Sequence, residues 1–222
     1  MQSFIISFAF LTLLSLLTTS KTFAEKFDYE FVTCGTVLKL LNHFHNVRLH
    51  SHNIKYGSGS GQQSVTAVES SDDHNSYWQV RPKPGTSCFR GTPIKCEQTI
   101  QLMHLATRKN LHGHHFRSPL SNNLEVSAFG EDGVGDAGDD WVVVCNSGNW
   151  SRVESVRLKN VVTGNFLHVN GDVYGRPIQG QREVSGHPYP NEKNSWQAAE
   201  GIFIKPAPKP NSRLSREAHD EF

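Results

Sequence analysis

Short apolar runs, broken by turn-forming residues, recur along this chain in a fixed order. Residues 37–41 (Val-Leu-Lys-Leu-Leu) form the first. Residues 47–52 then alternate, with Val47, Leu49 and Ser51 on one face of a predicted strand and Arg48, His50 and His52 on the other. Residues 64–68 and 77–80 complete a set of four predicted strands. The set is written again over residues 99–105, 110–114, 124–129 and 141–144, and a third time over 156–158, 166–169, 182–184 and 195–197. Three positions keep the copies in register. Leu49-His50-Ser51-His52, Leu111-His112-Gly113-His114 and Leu167-His168-Val169-Asn170 each lie nine residues after a leucine (Leu40, Leu102, Leu158). They lie 29 or 30 residues before a tryptophan (Trp78, Trp141, Trp196).

A repeat of this length with four short strands cannot cover its own apolar face, so three copies must share one core. Twelve strands without a 3.6-residue apolar stripe predict an all-β fold. The architecture expected is a β-trefoil, with six strands in a short barrel and three hairpins capping one end, because closure leaves no free sheet edges. A three-bladed propeller is the rival, and it falls below the usual blade number. The three tryptophans are expected to stack near the threefold axis. Residues 25–33 look like a lead-in strand, with Phe27, Tyr29, Phe31 and Val32 as its apolar positions.

The flanks differ from the repeats. Residues 4–17 are an apolar run of signal-peptide length, followed by Thr22-Phe23-Ala24 at a cleavage-compatible site, which predicts removal of residues 1–24. A retained membrane anchor is the alternative, and the run is short for one. Cleavage takes away only Lys21 among the charges and brings the formal charge from +1 to zero. No clustered basic excess points to nucleic acid or an anionic membrane surface. A soluble mature protein without membrane insertion is expected. Residues 205–217 are proline-rich and predict an extended linker. The domain reading is therefore 1–24 signal peptide, 25–204 trefoil (repeats 31–85, 93–148 and 149–204) and 205–222 tail.

Four cysteines behind a signal peptide read as two disulfides. Three connectivities exist. Cys34 and Cys88 bracket repeat one, and Cys96 and Cys145 bracket most of repeat two, so the pairing expected is Cys34–Cys88 and Cys96–Cys145. Zinc is the rival reading, and no Cys-x-x-Cys pair supports it.

Candidate chemistry is sparse. The His-x-His pairs have a ligand-like spacing, but equivalent positions in a trefoil are held apart by its axis, so these histidines are expected on the surface or in the cap layer and no metal site is assigned. No nucleophile–base set stands out. Residues 57–61 are glycine-rich but lack a phosphate-loop ending, and predict a flexible turn. Residues 131–140 are rich in aspartate and predict a solvated hairpin loop. Asn149-Trp150-Ser151 is a glycosylation sequon between repeats. The binding surface expected is the polar strand face with its turns: Arg48, His50, His52, Arg108, Lys109, His112 and His114.

These features together resemble the MIR repeat. The match rests on the leucine strand, Leu49-His50-Ser51-His52, the Gly/Ser loop running into Gln62-Gln63-Ser64-Val65-Thr66, and Asn75-Ser76-Tyr77-Trp78. With a secretory signal and the terminus His219-Asp220-Glu221-Phe222, the chain resembles the stromal cell-derived factor 2 family, built on a β-trefoil of three MIR repeats. The resemblance implies a non-enzymatic protein without cofactors, resident in the endoplasmic reticulum lumen. Its implied partners are the luminal Hsp70, a J-domain co-chaperone and misfolded or nascent clients, in folding and quality control. A lectin binding mannose-type glycans on clients is the alternative. His219-Asp220-Glu221-Phe222 departs from the usual HDEL retrieval signal by a terminal phenylalanine, which implies partial secretion as the alternative to retention.

Overall fold

The computed structural model describes residues 29–206. The predicted signal peptide and the terminal His219-Asp220-Glu221-Phe222 lie outside the described residues. Twelve strands form, four in each of the three sequence copies: β1 (Val37–Asn42), β2 (Val47–Lys55), β3 (Gln63–Val68) and β4 (Trp78–Pro82); β5 (Thr99–His104), β6 (Asn110–Arg117), β7 (Leu124–Phe129) and β8 (Trp141–Val144); β9 (Ser155–Asn160), β10 (Phe166–Val173), β11 (Arg182–His187) and β12 (Trp196–Ile202). Among the described residues the helical elements are three single 3-10 turns, one before each of the strands β4, β8 and β12.

The pairings close two rings. β1, β4, β5, β8, β9 and β12 pair antiparallel in sequence and β12 returns to β1, which makes a six-stranded barrel. The hairpins β2–β3, β6–β7 and β10–β11 form the cap, where β3, β7 and β11 pair with one another around the axis. The fold is a β-trefoil. Register repeats residue for residue: Leu38 faces Trp78, Ile100 faces Trp141 and Val156 faces Trp196. Leu49, Leu111 and Leu167 face Ala67, Ala128 and Gly186.

One contact explains why the leucine–tryptophan spacing is held. The indole Nε1–H of Trp78, Trp141 and Trp196 donates to the carbonyls of Leu49, Leu111 and Leu167 at 2.9, 2.9 and 2.8 Å. Each fourth strand is thereby tied to the second strand of its own repeat. The indoles serve as core, but they are fixed by these internal bonds and Trp78 lies against His104, with ring centroids 4.9 Å apart. Burying an indole removes roughly 150–250 Å² from water. At about 25 cal/mol per Å² that outweighs a net hydrogen bond of about 1 kcal/mol. The bond sets orientation; burial sets most of the energy. Trp150, which no repeat position anticipates, is also fully buried.

The turns repeat as well. Asn46, Arg108 and Gly164 occupy equivalent places and all have positive φ (52°, 57° and 70°). Asparagine and glycine accept this conformation readily; arginine does so at a cost. Residues 31–33 differ from expectation. They make isolated bridges, Phe31 to Ser151 and Thr33 to Pro93, rather than a strand. The disulfides Cys34–Cys88 and Cys96–Cys145 form, with Cα–Cα distances of 5.9 and 5.1 Å.

Candidate binding surface

The cap layer decides where the histidines go. On β2 the alternation expected to turn His50 outward instead meets cover on both faces: His50 is 4% exposed and Ser51 is fully buried. His112 and His168 hold the same position in repeats two and three, at 5% and 4%. Polar side chains inside a core call for partners, and the repeats differ in what they supply.

In repeat one a chain of bonds runs Asp73–His50–His52–Ser64. His50 Nδ1 lies 2.7 Å from Asp73 Oδ2, His50 Nε2 lies 2.7 Å from His52 Nδ1, and His52 Nε2 lies 3.3 Å from Ser64 Oγ. The order resembles a catalytic relay but lacks its chemistry. The Ser64 hydroxyl donates to the Ile54 carbonyl at 2.9 Å. Burial, and then the neighbouring His50, pushes His52 down to about 4, too low for an effective base near neutrality. Burial opposes ionisation of Asp73, yet the bonds from Ser76 and His50 outweigh it and hold the carboxyl below its ordinary range.

In repeat two His112 Nδ1 lies 2.9 Å from Asp139 Oδ1 and 3.6 Å from Asp136 Oδ1. These three side chains bring donor atoms within 4.8 Å of one another. The group is already wired internally: Asp139 Oδ2 also accepts from Asn110 Nδ2 at 2.9 Å and from the Asp136 backbone, and Asp136 Oδ1 accepts the Gly138 N–H at 2.8 Å. The acidic loop is therefore not simply solvated. Asp139 and Asp140 are buried, and Asp140 takes Lys83 Nζ at 3.0 Å and Gln101 Nε2 at 3.0 Å. His114 Nε2 sits 3.1 Å from Glu125 Oε1.

Glu125 and its counterpart Glu183 are buried carboxylates that the sequence reading passed over. Glu125 receives the backbone N–H and hydroxyl of Ser60, so the glycine-rich 57–61 turn is docked on repeat two rather than free. Glu183 accepts from the Leu120 and Ser121 amides at 2.8 and 3.1 Å and from Asn170 Nδ2 at 2.6 Å. The repeated Glu-Val-Ser at 125–127 and 183–185 is the signal that marks them. Beside them Tyr56 Oη lies 2.9 and 3.0 Å from the Val65 and Val126 carbonyls, and burial pushes this hydroxyl and that of Tyr174 upward.

The seven expected surface residues thus divide between two repeats. Arg48 Nη2 pairs with Glu200 at 2.8 Å. His50, His52 and His112 are committed to internal partners, whereas His114 Nε2 is buried beside Glu125 without a hydrogen bond. Arg108 is exposed and meets Asp132 at 2.6 Å. Lys109 donates to the Gly130 carbonyl at 2.7 Å and lines an open cavity of about 400 Å³ with Asn53, Lys55, Gln62, Phe129 and Glu131. Asn149 is half-buried beside the fully buried Trp150, on an isolated bridge to Lys95.

A trefoil of three such repeats, with its histidines in the cap and its cysteines paired, defines a MIR-type protein. Residues 39–149 match the MIR domain. The chain is 58% identical to human stromal cell-derived factor 2-like protein 1 over 199 residues, covering 90% of this chain and 88% of that one. It is 60% identical to human stromal cell-derived factor 2 over 188 residues, 85% and 87% of the two chains. The crystal structure of the SDF2-like protein from Arabidopsis thaliana superposes with a TM-score of 0.77 at 43% identity, covering 80% of this chain and 98% of that one. The chain belongs to the stromal cell-derived factor 2 family. These relatives are named as factors rather than as enzymes.

Proposed function

We propose that this protein is a non-enzymatic factor of the endoplasmic reticulum lumen that assists protein folding and quality control by joining a complex of the luminal Hsp70 and a J-domain co-chaperone. Family membership supports the reading, and the observation that carries it is how the cap spends its polar groups. His50, His52 and His112 are held by neighbours within the cap, His114 lies against Glu125, and the Ser64 hydroxyl is given to a carbonyl. The chain offers a surface with basic turn residues, Arg108 and Lys109 foremost. Two disulfides suit an oxidising compartment. The terminal His219-Asp220-Glu221-Phe222 resembles the HDEL retrieval signal, with Phe222 in place of the usual leucine.

The test is recovery of partners from microsomes. The wild-type chain is expected to bring down the Hsp70 and the J-domain protein, and the double charge reversal Arg108→Glu/Lys109→Glu to bring down less. Recovery of neither by the wild type contradicts the reading. A second reading, glycan binding, is favoured by the cavity beside Lys109, where amides, charged groups and the Phe129 ring offer partners for sugar hydroxyls and a sugar face. Saturable binding in a mannoside titration supports it; a flat titration removes it.

A further inference from the structure

The internal repeat supplies its own template for what each buried histidine requires. In repeats one and two, Nδ1 of the histidine after the leucine meets an aspartate: His50 with Asp73, His112 with Asp139 and, farther off, Asp136. Counting back from the tryptophans, the equivalent positions of repeat three hold Asn191 and Asn194. Both are committed elsewhere. The Asn191 oxygen caps the local turn by accepting the Lys193 N–H at 2.9 Å. The Asn194 oxygen accepts from Arg157 Nε at 3.0 Å, and its nitrogen donates to the Tyr189 carbonyl at 2.9 Å. His168 Nδ1 is left buried without a partner.

An open cavity of about 500 Å³ adjoins it, lined by Phe44, His168, His187, Asn191, Glu192 and Lys193. Neither of the other two histidine sites has a second imidazole stacked over the first from the neighbouring strand: Phe129 covers His112, whereas His187 covers His168 at 4.7 Å. Lys193 lies over the Phe44 ring, 5.4 Å from its centroid, and His45 reaches in from the turn between β1 and β2, its Nε2 3.1 Å from the Val169 carbonyl. Lys193 is thus the positive charge lining the cavity, with Glu192 as the opposing charge on the rim. Phe44 and Tyr189 stand exposed nearby. We propose that this cavity binds a carboxylate, supplied by an aspartate side chain of an acidic peptide, in the place that the protein's own aspartates take in repeats one and two. A peptide fits better than an acidic sugar because the groups that fill the two equivalent sites are aspartates on tight turns, and the aromatic rim covers peptide flanks. Because His187 closes the way to Nδ1, its ring swings aside on binding. Burial and the nearby His187 hold His168 down at about 4, and a bound carboxylate raises it.

The experiment is an NMR titration of the histidine ring nitrogens in the full chain, with a blocked Gly-Asp-Gly peptide as probe and its Gly-Asn-Gly counterpart as control. The expected result is saturable shifts of His168 and His187 with the aspartyl peptide and binding at least tenfold weaker with the control. Asn191→Asp keeps an oxygen for the turn, places a carboxylate where Asp73 and Asp136 stand, and is expected to weaken the peptide at least tenfold without lowering the thermal midpoint. Lys193→Gln, which leaves the buried groups untouched, is expected to weaken it several-fold. Equal response to both peptides, or unchanged binding in both variants, overturns the proposal. Tighter binding of N-acetylneuraminic acid than of the aspartyl peptide overturns the assignment to a peptide.

Discussion

Replacing His104 by asparagine tests the internal template on a group whose ionisation is coupled to folding. His104 begins the turn after β5, where Asn42 and Asn160 stand in the other repeats. Asn42 Oδ1 and Asn160 Oδ1 accept turn amides, while their nitrogens donate to carbonyls of the 3-10 turn that precedes the neighbouring tryptophan. His104 does the same work with a ring: Nδ1 lies 2.8 Å from Thr107 Oγ1 and Nε2 lies 2.9 Å from the Asn75 carbonyl. This wiring suits the neutral imidazole, and burial pushes the group down to about 4. A histidine in the unfolded chain titrates near 6.5. The unfolded state therefore takes up the proton first as the solution is acidified. The stabilisation is complete above pH 6.5, falls between there and pH 4, and levels off below. From pH 7 to pH 5 the loss from this one residue is about 2 kcal/mol. Urea denaturation at the two pH values, on wild type and His104→Asn, reads the difference directly. The variant is expected to be about 1 kcal/mol less stable at pH 7, for lost packing on Trp78, and to lose about 2 kcal/mol less than wild type on going to pH 5. Equal losses in the two proteins would refute the reasoning.

Three further outcomes follow from the same geometry. Trp141→Phe leaves the Leu111 carbonyl unpaired and a void beneath β6, and should cost about 2–4 kcal/mol in urea denaturation; a cost near zero would mean that the indole bond does not set the register. Cys34→Ser/Cys88→Ser opens a loop with a sequence separation of 54 and should cost about 4 kcal/mol in the chain-entropy account, read as a lowered denaturation midpoint. Arg108→Gly relieves the left-handed turn at the expense of an exposed ion pair and should gain about 1 kcal/mol; destabilisation would show that the arginine contributes more to the fold than its contacts imply.

The barrel and cap were legible in the sequence because period-two alternation and the leucine–tryptophan register both survive in three copies. The spacing of 29 or 30 residues is the reach of one indole hydrogen bond, a cause that the pattern marks without revealing. The cap interior was less legible. Alternation assigns a polar residue to the outside, but around the trefoil axis both faces of β2, β6 and β10 are covered, so His50, His112 and His168 go inward, the first two onto aspartates and the third without a partner at Nδ1. Asp139 and Asp140 belong to a loop whose composition reads as solvated, yet the turn before Trp141 folds beneath β6 and buries them. The docking of the 57–61 turn depends on Glu125, 65 residues farther along from Ser60, and no local signal carries that contact. The candidate surface was the least legible part, because residue type along a strand does not distinguish a side chain free for a partner from one already paired.

The central claim is functional, and crosslinking in intact endoplasmic reticulum tests it most directly, because weak luminal complexes are captured before dilution. With the chain crosslinked in place and its adducts identified, the account predicts the luminal Hsp70 and a J-domain protein among them, with recovery reduced by Arg108→Glu/Lys109→Glu. Adducts that contain neither chaperone, from a chain shown to be folded and in the lumen, would contradict it.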